Sequence, residues 1–453
     1  MVERMALTEL ERRVVDEIGG RANELVELAS ALIRFDTEAR EPDDPPREEA
    51  ALQEYLAARL AARGAEIDLW EPAREDVEGN RLVPAGGLGF AGRPQLVARF
   101  RGAGGDRSLL LNGHIDVVSS VPREAWTSDP NEPEVRDGKL YGRGSCDMKG
   151  GIAAMTMAAE VLAALGVRLA GDLVVCTVTD EESTGAGGLA AVAHGVRADA
   201  GIVTEPSGFD VWTSCRGSLM PTITVPGRPG HAGVGQPDWR QGGAVNAIEK
   251  AMLIVDSLRQ LQGEWRERPD HRHPHLSPGD IVPTLVSGGE WIVSYPASCR
   301  IAYHVAYLPA HADEGGWGSA VEDEIVERVR RAAAADPWLA EHPPLIEWAT
   351  DAPSSEVSED EPIVQAILGT GVDVGRPRRV SGMDSWHDGA TFTRFGGTPC
   401  VCFGPRGNHV AHTIDEYVVV DDLVQCAQEL AVTAIRFCGL AAELSSATAD
   451  LEA

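Results

Sequence analysis

Leu109-Leu110-Leu111-Asn112-Gly113-His114-Ile115-Asp116 is an apolar run that ends in a histidine and an aspartate two residues apart. The leucines fit a buried strand of a parallel sheet, where strands read as continuous apolar runs rather than alternating ones. Open α/β sheets bind ligands beyond the carboxyl ends of such strands, which is where His114 falls. Neutral imidazole is a common metal ligand, and a nearby carboxylate fixes its tautomer and raises its basicity, a role open to Asp116.

Three more strand-like runs end in the same way. Residues 173–179 lead into Asp180-Glu181-Glu182, residues 200–204 lead into Glu205, and residues 399–403 lead into Gly404-Pro405-Arg406, followed by His409 and His412. Asp147 sits in a Gly-rich turn between the first two runs, before a helix predicted over 152–165. Parallel strands would bring Asp116, Asp147, Glu181, Glu182 and Glu205 to one edge with His114 and His412. So many carboxylates repel one another unless cations compensate, and two divalent metals resolve the conflict.

The donor set is rich in oxygen and imidazole and has no obvious thiolate. It suits Zn, with Co or Mn as alternatives, better than copper or an iron-sulfur cluster. In two-metal sites the ions lie roughly 3.5 to 4 Å apart, within reach of one bridging carboxylate, for which Asp147 is the natural choice. A tandem Glu-Glu supplies one ligand and one free base, assigned here as Glu182 and Glu181. His412 is preferred to His409 on motif register.

These residues resemble the M20 family of metallopeptidases and amidohydrolases, in particular its acetylornithine deacetylase/succinyl-diaminopimelate desuccinylase branch. The motifs Gly113-His114-Ile115-Asp116, Gly142-Arg143-Gly144 with Cys146-Asp147-Met148-Lys149-Gly150-Gly151, Thr179-Asp180-Glu181-Glu182, Thr204-Glu205-Pro206 and Ala411-His412-Thr413 occur in family order over nearly the whole chain. The resemblance implies that His114, Asp147 and Glu205 hold one metal and that Asp147, Glu182 and His412 hold the other. It further implies that Glu181 is the base and that Asp116 supports His114. His231, in Gly230-His231-Ala232-Gly233, would stand over the metals, sometimes from the partner subunit, and donate to the developing oxyanion.

Composition agrees with this reading. The chain has 453 residues, too many for one hydrophobic core, so two domains are expected. Its 40 basic and 70 acidic residues give a formal charge of −30, which disfavours nucleic acid and anionic membrane as partners. Eight scattered cysteines without a C-x-x-C pair, and a charged, amphipathic start broken near Gly19-Gly20, point to a reducing cytoplasm with no signal peptide or membrane span.

From Leu219 to Val225 the odd positions are apolar, as in a half-buried strand, before Pro226-Gly227-Arg228-Pro229-Gly230 breaks the pattern. A helix continues from about 244 to 261, strands follow at 281–286 and 300–307, and a second helix runs over 319–334. The expected fold is therefore α/β: a catalytic domain with a mostly parallel sheet flanked by helices (1–214 and 350–453), plus an inserted smaller α+β domain (215–349). In the resembled family such an insert is a lid that often dimerises, so a homodimer is expected.

Substrate contacts are assigned to Arg300, as a carboxylate fork, and to Asp384 and Arg406. The segment Ser381-Gly382-Met383-Asp384-Ser385-Trp386-His387-Asp388 departs from the branch's Gly-Thr-Asp-like pattern, and Arg406 stands where Gly is common. The expected substrate is therefore an N-acyl amino acid or another small amide. The alternatives are a dipeptidase or carboxypeptidase of the same family and a non-catalytic metal-stabilised binding protein. Gly87-Leu88-Gly89-Phe90-Ala91-Gly92 satisfies G-x-G-x-x-G but precedes a strand, which argues against a dinucleotide site. His271, His273 and His275 offer adventitious metal affinity at most.

Overall fold

The computed structural model describes residues 6–39, 47–84 and 89–441. Gly87 and Leu88 of the G-x-G-x-x-G run and the first five residues of the amphipathic start therefore lie outside the described residues. The rest of that start forms two helices, Glu9–Gly20 and Ala22–Arg34, joined at Arg21. Thr8 caps the first in a reciprocal capping box with Glu11.

A nine-stranded sheet carries the apolar runs. Its central path is Gln95–Phe100, Leu173–Val178, Leu109–His114, Ala200–Val203, Cys400–Cys402 and Val211–Cys215. The four strands that end in the motifs run parallel to their neighbours within this group. Leu109, Leu110 and Leu111 are all 0 % exposed, yet they separate by parity. Leu109 and Leu111 join the core beneath the helices Lys149–Ala164 and Val420–Cys438, while Leu110 joins a second core with Phe392 and Ala191. A strand covered on both faces has no place for a polar alternation, which explains the continuous apolar run. Each such side chain contributes about 1.5–3 kcal/mol of burial.

The second sheet is antiparallel and four-stranded, in the order Asp280–Gly288, Ser298–Tyr307, Gly217–Pro226, Leu345–Ala352. The helices Ala247–Glu267 and Ser319–Ala334 cover one of its faces with their own core, built on Leu219, Ile223, Val225, Ile254 and Ile325. Odd positions from 219 to 225 are buried, as the alternation predicts, and the first helix runs six residues beyond the predicted 261 because Leu261 and Trp265 keep its apolar stripe in the core. The chain leaves the large sheet at Cys215, enters the small one at Gly217, and returns between Ala352 and Ser355. At this return the buried Asp351 carboxylate accepts hydrogen bonds from Tyr307 (2.8 Å) and the Gly318 N–H (3.0 Å) and pairs with Arg81 (2.9 Å).

Candidate metal centre and catalytic cleft

The strand ends do converge. His114 closes its strand fully buried, and its Nδ1 lies 2.9 Å from the main-chain carbonyl of Asp116. With a proton on Nδ1, the Nε2 lone pair faces the acidic cluster, 3.2 Å from Asp147 and 3.6 Å from Glu205. The expected pairing of the Asp116 carboxylate with His114 needs correction. That carboxylate is 3.7 Å from Nδ1 and instead accepts the backbone N–H groups of Glu181 (3.2 Å) and Glu182 (3.1 Å). The chain turns towards it at Asp180, whose φ of 69° is left-handed, and Arg93 holds the Asp180 carboxylate at 2.7 Å.

Asp147 sits between the two histidines. The turn carrying it is fixed by Glu416, whose buried carboxylate accepts the N–H groups of Cys146 (2.9 Å) and Asp147 (3.2 Å) and pairs with Arg143 at 2.6 Å. The helix that follows opens on two glycines because it abuts the Glu205 strand end. A Cβ on Gly151 would lie 2.0 Å from the Thr204 carbonyl oxygen. His412, at φ 62°, brings Nε2 to 3.3 Å from Asp147 and 3.1 Å from Glu182. Two three-residue groups result, His114/Asp147/Glu205 and Asp147/Glu182/His412, each with ligand atoms within 4.8 Å of one another. They share Asp147, and His409 belongs to neither.

The electrostatics fit divalent cations at this place. Burial, reinforced by neighbouring carboxylates, pushes Glu181 and Glu205 well above the usual carboxylate range and raises Glu182. Burial would lower His114, but Glu205, Asp147 and Glu181 around it raise it well above its ordinary value. His412 is pushed up to about 10 by Asp147 and Glu182. Protons thus stand where cations would relieve the same crowding. Glu181 belongs to neither group and lies 4.0 Å from His114 Nε2.

The cluster forms one wall of an open cleft of about 260 Å³, room for a small molecule. Asp384 lines it, with its carboxylate held by the Ser277 N–H at 2.8 Å. Two of the residues assigned to substrate lie outside this cleft. Arg406 forms a bidentate pair with the buried Asp422, at 2.8 and 2.5 Å, and does not line the cleft; the pair commits both ends of its guanidinium fork to the helix Val420–Cys438. Arg300 is exposed on the strand Ser298–Tyr307, four residues and about 13 Å from His304, beyond the cleft. His231 lies exposed on a two-residue strand paired with Ser294–Tyr295, its Nδ1 accepting the Gly233 N–H at 3.0 Å, and joins neither ligand group. Of the three alternating histidines, His271 stacks on Trp265 and lies with Asp270 and His311 in a third possible ligand group that does not line the cleft, while His273 and His275 pair with Glu356 and Glu359.

Sequence reasoning missed several residues here. His304 and Ser218, from the small sheet, line the cleft and are joined at 2.9 Å. Trp386 and Arg216 also line it. Next to Trp386 in sequence, His387 and Asp388 are buried, and no hydrogen bond reaches either Asp388 carboxyl oxygen among the described residues. Burial pushes Asp388 up to about 8. The departure of residues 381–388 from the family pattern marks that segment in the sequence as a pocket candidate, and Met383 to Trp386 do line the cleft, whereas no sequence signal points to His304 or Ser218.

Comparison with known proteins places this geometry. Residues 110–436 match Peptidase family M20/M25/M40. The chain is 28 % identical over 435 residues to the N-formyl-4-amino-5-aminomethyl-2-methylpyrimidine deformylase of Halalkalibacterium halodurans, covering 92 % of this chain and 95 % of that one. It is 32 % identical over 329 residues to the succinyl-diaminopimelate desuccinylase of Xanthomonas oryzae pv. oryzae, covering 70 % and 80 % of the two chains. Its fold is similar to that of human carnosine dipeptidase 1, with a TM-score of 0.71, 14 % identity and coverage of 95 % and 99 %. The chain therefore belongs to the M20/M25/M40 family and is a metal-dependent amidohydrolase acting on small amides.

Proposed function

We propose that the protein is a two-metal deacylase that removes a small acyl group from an amine. The observation that carries this reading is the pair of ligand groups sharing Asp147, with Glu181 free beside them. His114, Asp147 and Glu205 would hold one ion, and Asp147, Glu182 and His412 the other, with Zn favoured by the carboxylate and imidazole donors. When bound, two such ions polarise an amide carbonyl and acidify water. Glu181 takes the proton of the attacking water and passes it to the leaving nitrogen, a role open to it because it lies beside the two ligand groups and belongs to neither. The Asp116 carboxylate keeps Glu181 and Glu182 in register through their backbone N–H groups.

Residues 1–214 and 350–453 form the catalytic domain in this reading, and 215–349 the lid. The lid's outer edge supports a homodimer. The strand Asp280–Gly288 is an edge strand that exposes Leu285 (71 %) and Val286 (66 %), near the exposed Ile248 on the helix beside Gly288. An apolar open edge is a surface that pairs with another chain. In that assembly His231 of the partner subunit donates to the oxyanion. Eight unpaired, buried cysteines fit a reducing compartment such as the cytoplasm.

Glu181→Gln is expected to retain both metals and lose nearly all turnover, and normal turnover would reject the base assignment. Mixing the inactive Glu181→Gln and His231→Ala proteins is expected to restore activity as hybrid dimers combine one intact Glu181 with one intact His231. Failure to restore it after verified subunit exchange rejects action across the interface.

A further inference from the structure

Outside the cleft, the layer of the small sheet carries its own group of metal-ligating side chains. Asp270, His271 and His311 each offer one ligand atom, and these atoms lie within 4.8 Å of one another, the same spread as in the two groups that share Asp147. Two single turns bring them together. Pro269–His271 follows the helix Ala247–Glu267, and Pro309–His311 follows the strand Ser298–Tyr307. A proline opens each turn and fixes φ where the chain changes direction. The imidazole rings of His271 and His311 have centroids 4.1 Å apart, and His311 Nε2 lies 3.9 Å from an Asp270 carboxylate oxygen.

Packing explains only part of this arrangement. His271 is 3 % exposed and stacks on Trp265, a place that an apolar ring would fill as well. Yet its Nδ1 and both ring nitrogens of His311 are buried without a hydrogen-bond partner among the described residues. Buried polar atoms in native proteins are nearly always satisfied, so orphans gathered in one place call for a ligand.

The surrounding charge favours a cation in that role. Glu324 is held by Arg268, with Nη1 at 3.1 Å, and by the Trp265 indole N–H at 3.0 Å, so these two charges cancel and Asp270 leaves the cluster negative. Burial, with His311 adding to it, pushes His271 down to about 4, and burial lowers His311 as well. Both rings therefore keep a lone pair at neutral pH, as metal ligation requires. Two neutral imidazoles and one carboxylate suit a borderline divalent ion such as zinc, whereas calcium and magnesium take about six or more oxygens.

We propose that Asp270, His271 and His311 form a further transition-metal site, of zinc type, that ties the turn Pro269–His271 to the turn Pro309–His311 independently of the two-metal centre. Both tied segments reach the cleft. Beyond His271 the chain arrives at Ser277, whose N–H donates to the Asp384 carboxylate at 2.8 Å, and at Pro278, whose carbonyl accepts from Arg216 at 2.9 Å. The strand leading to His311 carries His304 and Ala306, which line the cleft. An ion here stiffens the support of one cleft wall without touching substrate.

The test counts zinc bound to the full-length, chelator-stripped protein by equilibrium dialysis with elemental analysis, and follows thermal unfolding of the same samples. His311→Ala is expected to bind one ion fewer per chain than the unmodified protein and to gain less in Tm from added zinc. Asp270→Asn changes an exposed side chain outside the core, so it should unfold normally without metal. It is expected to weaken the same ion at least about tenfold in calorimetric titration. The ion lost in His311→Ala should also be lost when that change is made in a His114→Ala background. Equal zinc counts in His311→Ala and the unmodified protein overturn the proposal, as does unchanged affinity in Asp270→Asn. A loss that disappears in the His114→Ala background overturns it too, because the ion then belongs to the cleft.

Discussion

Asp116→Asn separates two ways in which one carboxylate could serve the site. The carboxylate accepts two backbone N–H groups, from Glu181 at 3.2 Å and Glu182 at 3.1 Å, while His114 Nδ1 bonds to the main-chain carbonyl of the same residue at 2.9 Å. Asparagine keeps the carbonyl and one acceptor oxygen but turns an N–H donor towards the other backbone donor. One hydrogen bond to a charged group is lost, worth about 1.5–3 kcal/mol, which is roughly 10- to 150-fold if it falls on the transition state. The loss should appear in kcat at saturating metal and in the affinity of the ion that Glu182 would hold, with the His114-side ion changed little. Calorimetric metal titration measures both binding steps, assigned by parallel titration of His114→Ala and His412→Ala. A 10- to 100-fold loss confined to the His114-side ion, with kcat unchanged, would refute the reasoning and restore the carboxylate–imidazole contact as the operative one.

The Arg143–Glu416 pair gives a second prediction. Each of Arg143→Met and Glu416→Gln strands a buried partner and should cost about 3–5 kcal/mol, whereas the double variant should cost less than the sum, as thermal denaturation of the metal-free protein would reveal. Additive losses would show that the pair is not coupled. Acid stability supplies a third. Burial pushes His387 down to about 4, against about 6.5 in an unfolded chain, so stability is complete above pH 6.5 and declines as pH falls towards 4, by about 3 kcal/mol at most. His387→Asn preserves an acceptor for the Gly389 N–H, now held at 3.0 Å by Nδ1, and should flatten that part of the pH profile in denaturant titrations of metal-free protein. An unchanged slope between pH 6.5 and 4 would contradict it.

The ligand wall was legible because its residues terminate apolar strands. A run such as Leu109-Leu110-Leu111 states that it is buried on both faces, and a parallel sheet then dictates where His114 must emerge. The opposite wall had no such grammar. His304 sits on the less buried face of an alternating strand, opposite the sheet's own core, in a sheet whose placement beside the ligand groups is a tertiary fact, and nothing in its neighbours distinguishes it from Arg300 four residues earlier. Arg406 misled for a related reason, since its partner Asp422 belongs to the helix Val420–Cys438 and the two meet only in three dimensions. Asp116 was found in the right place with the wrong atom facing His114, a distinction of side chain from main chain that spacing cannot express.

The strand Cys400–Cys402 lies in the interior of the large sheet, between Ala200–Val203 and Val211–Cys215, both made much earlier in the chain. During synthesis from the N-terminus that slot stays empty, leaving two unpaired backbone edges inside what will become the core, until the last stretch of polypeptide emerges. His412 follows ten residues after Cys402 in the same stretch. Sheet continuity and the second ligand group are thus completed by a single late docking event. Nascent or truncated chains ending before residue 400 would carry an adhesive seam that full-length molecules lack, with aggregation as the competing fate.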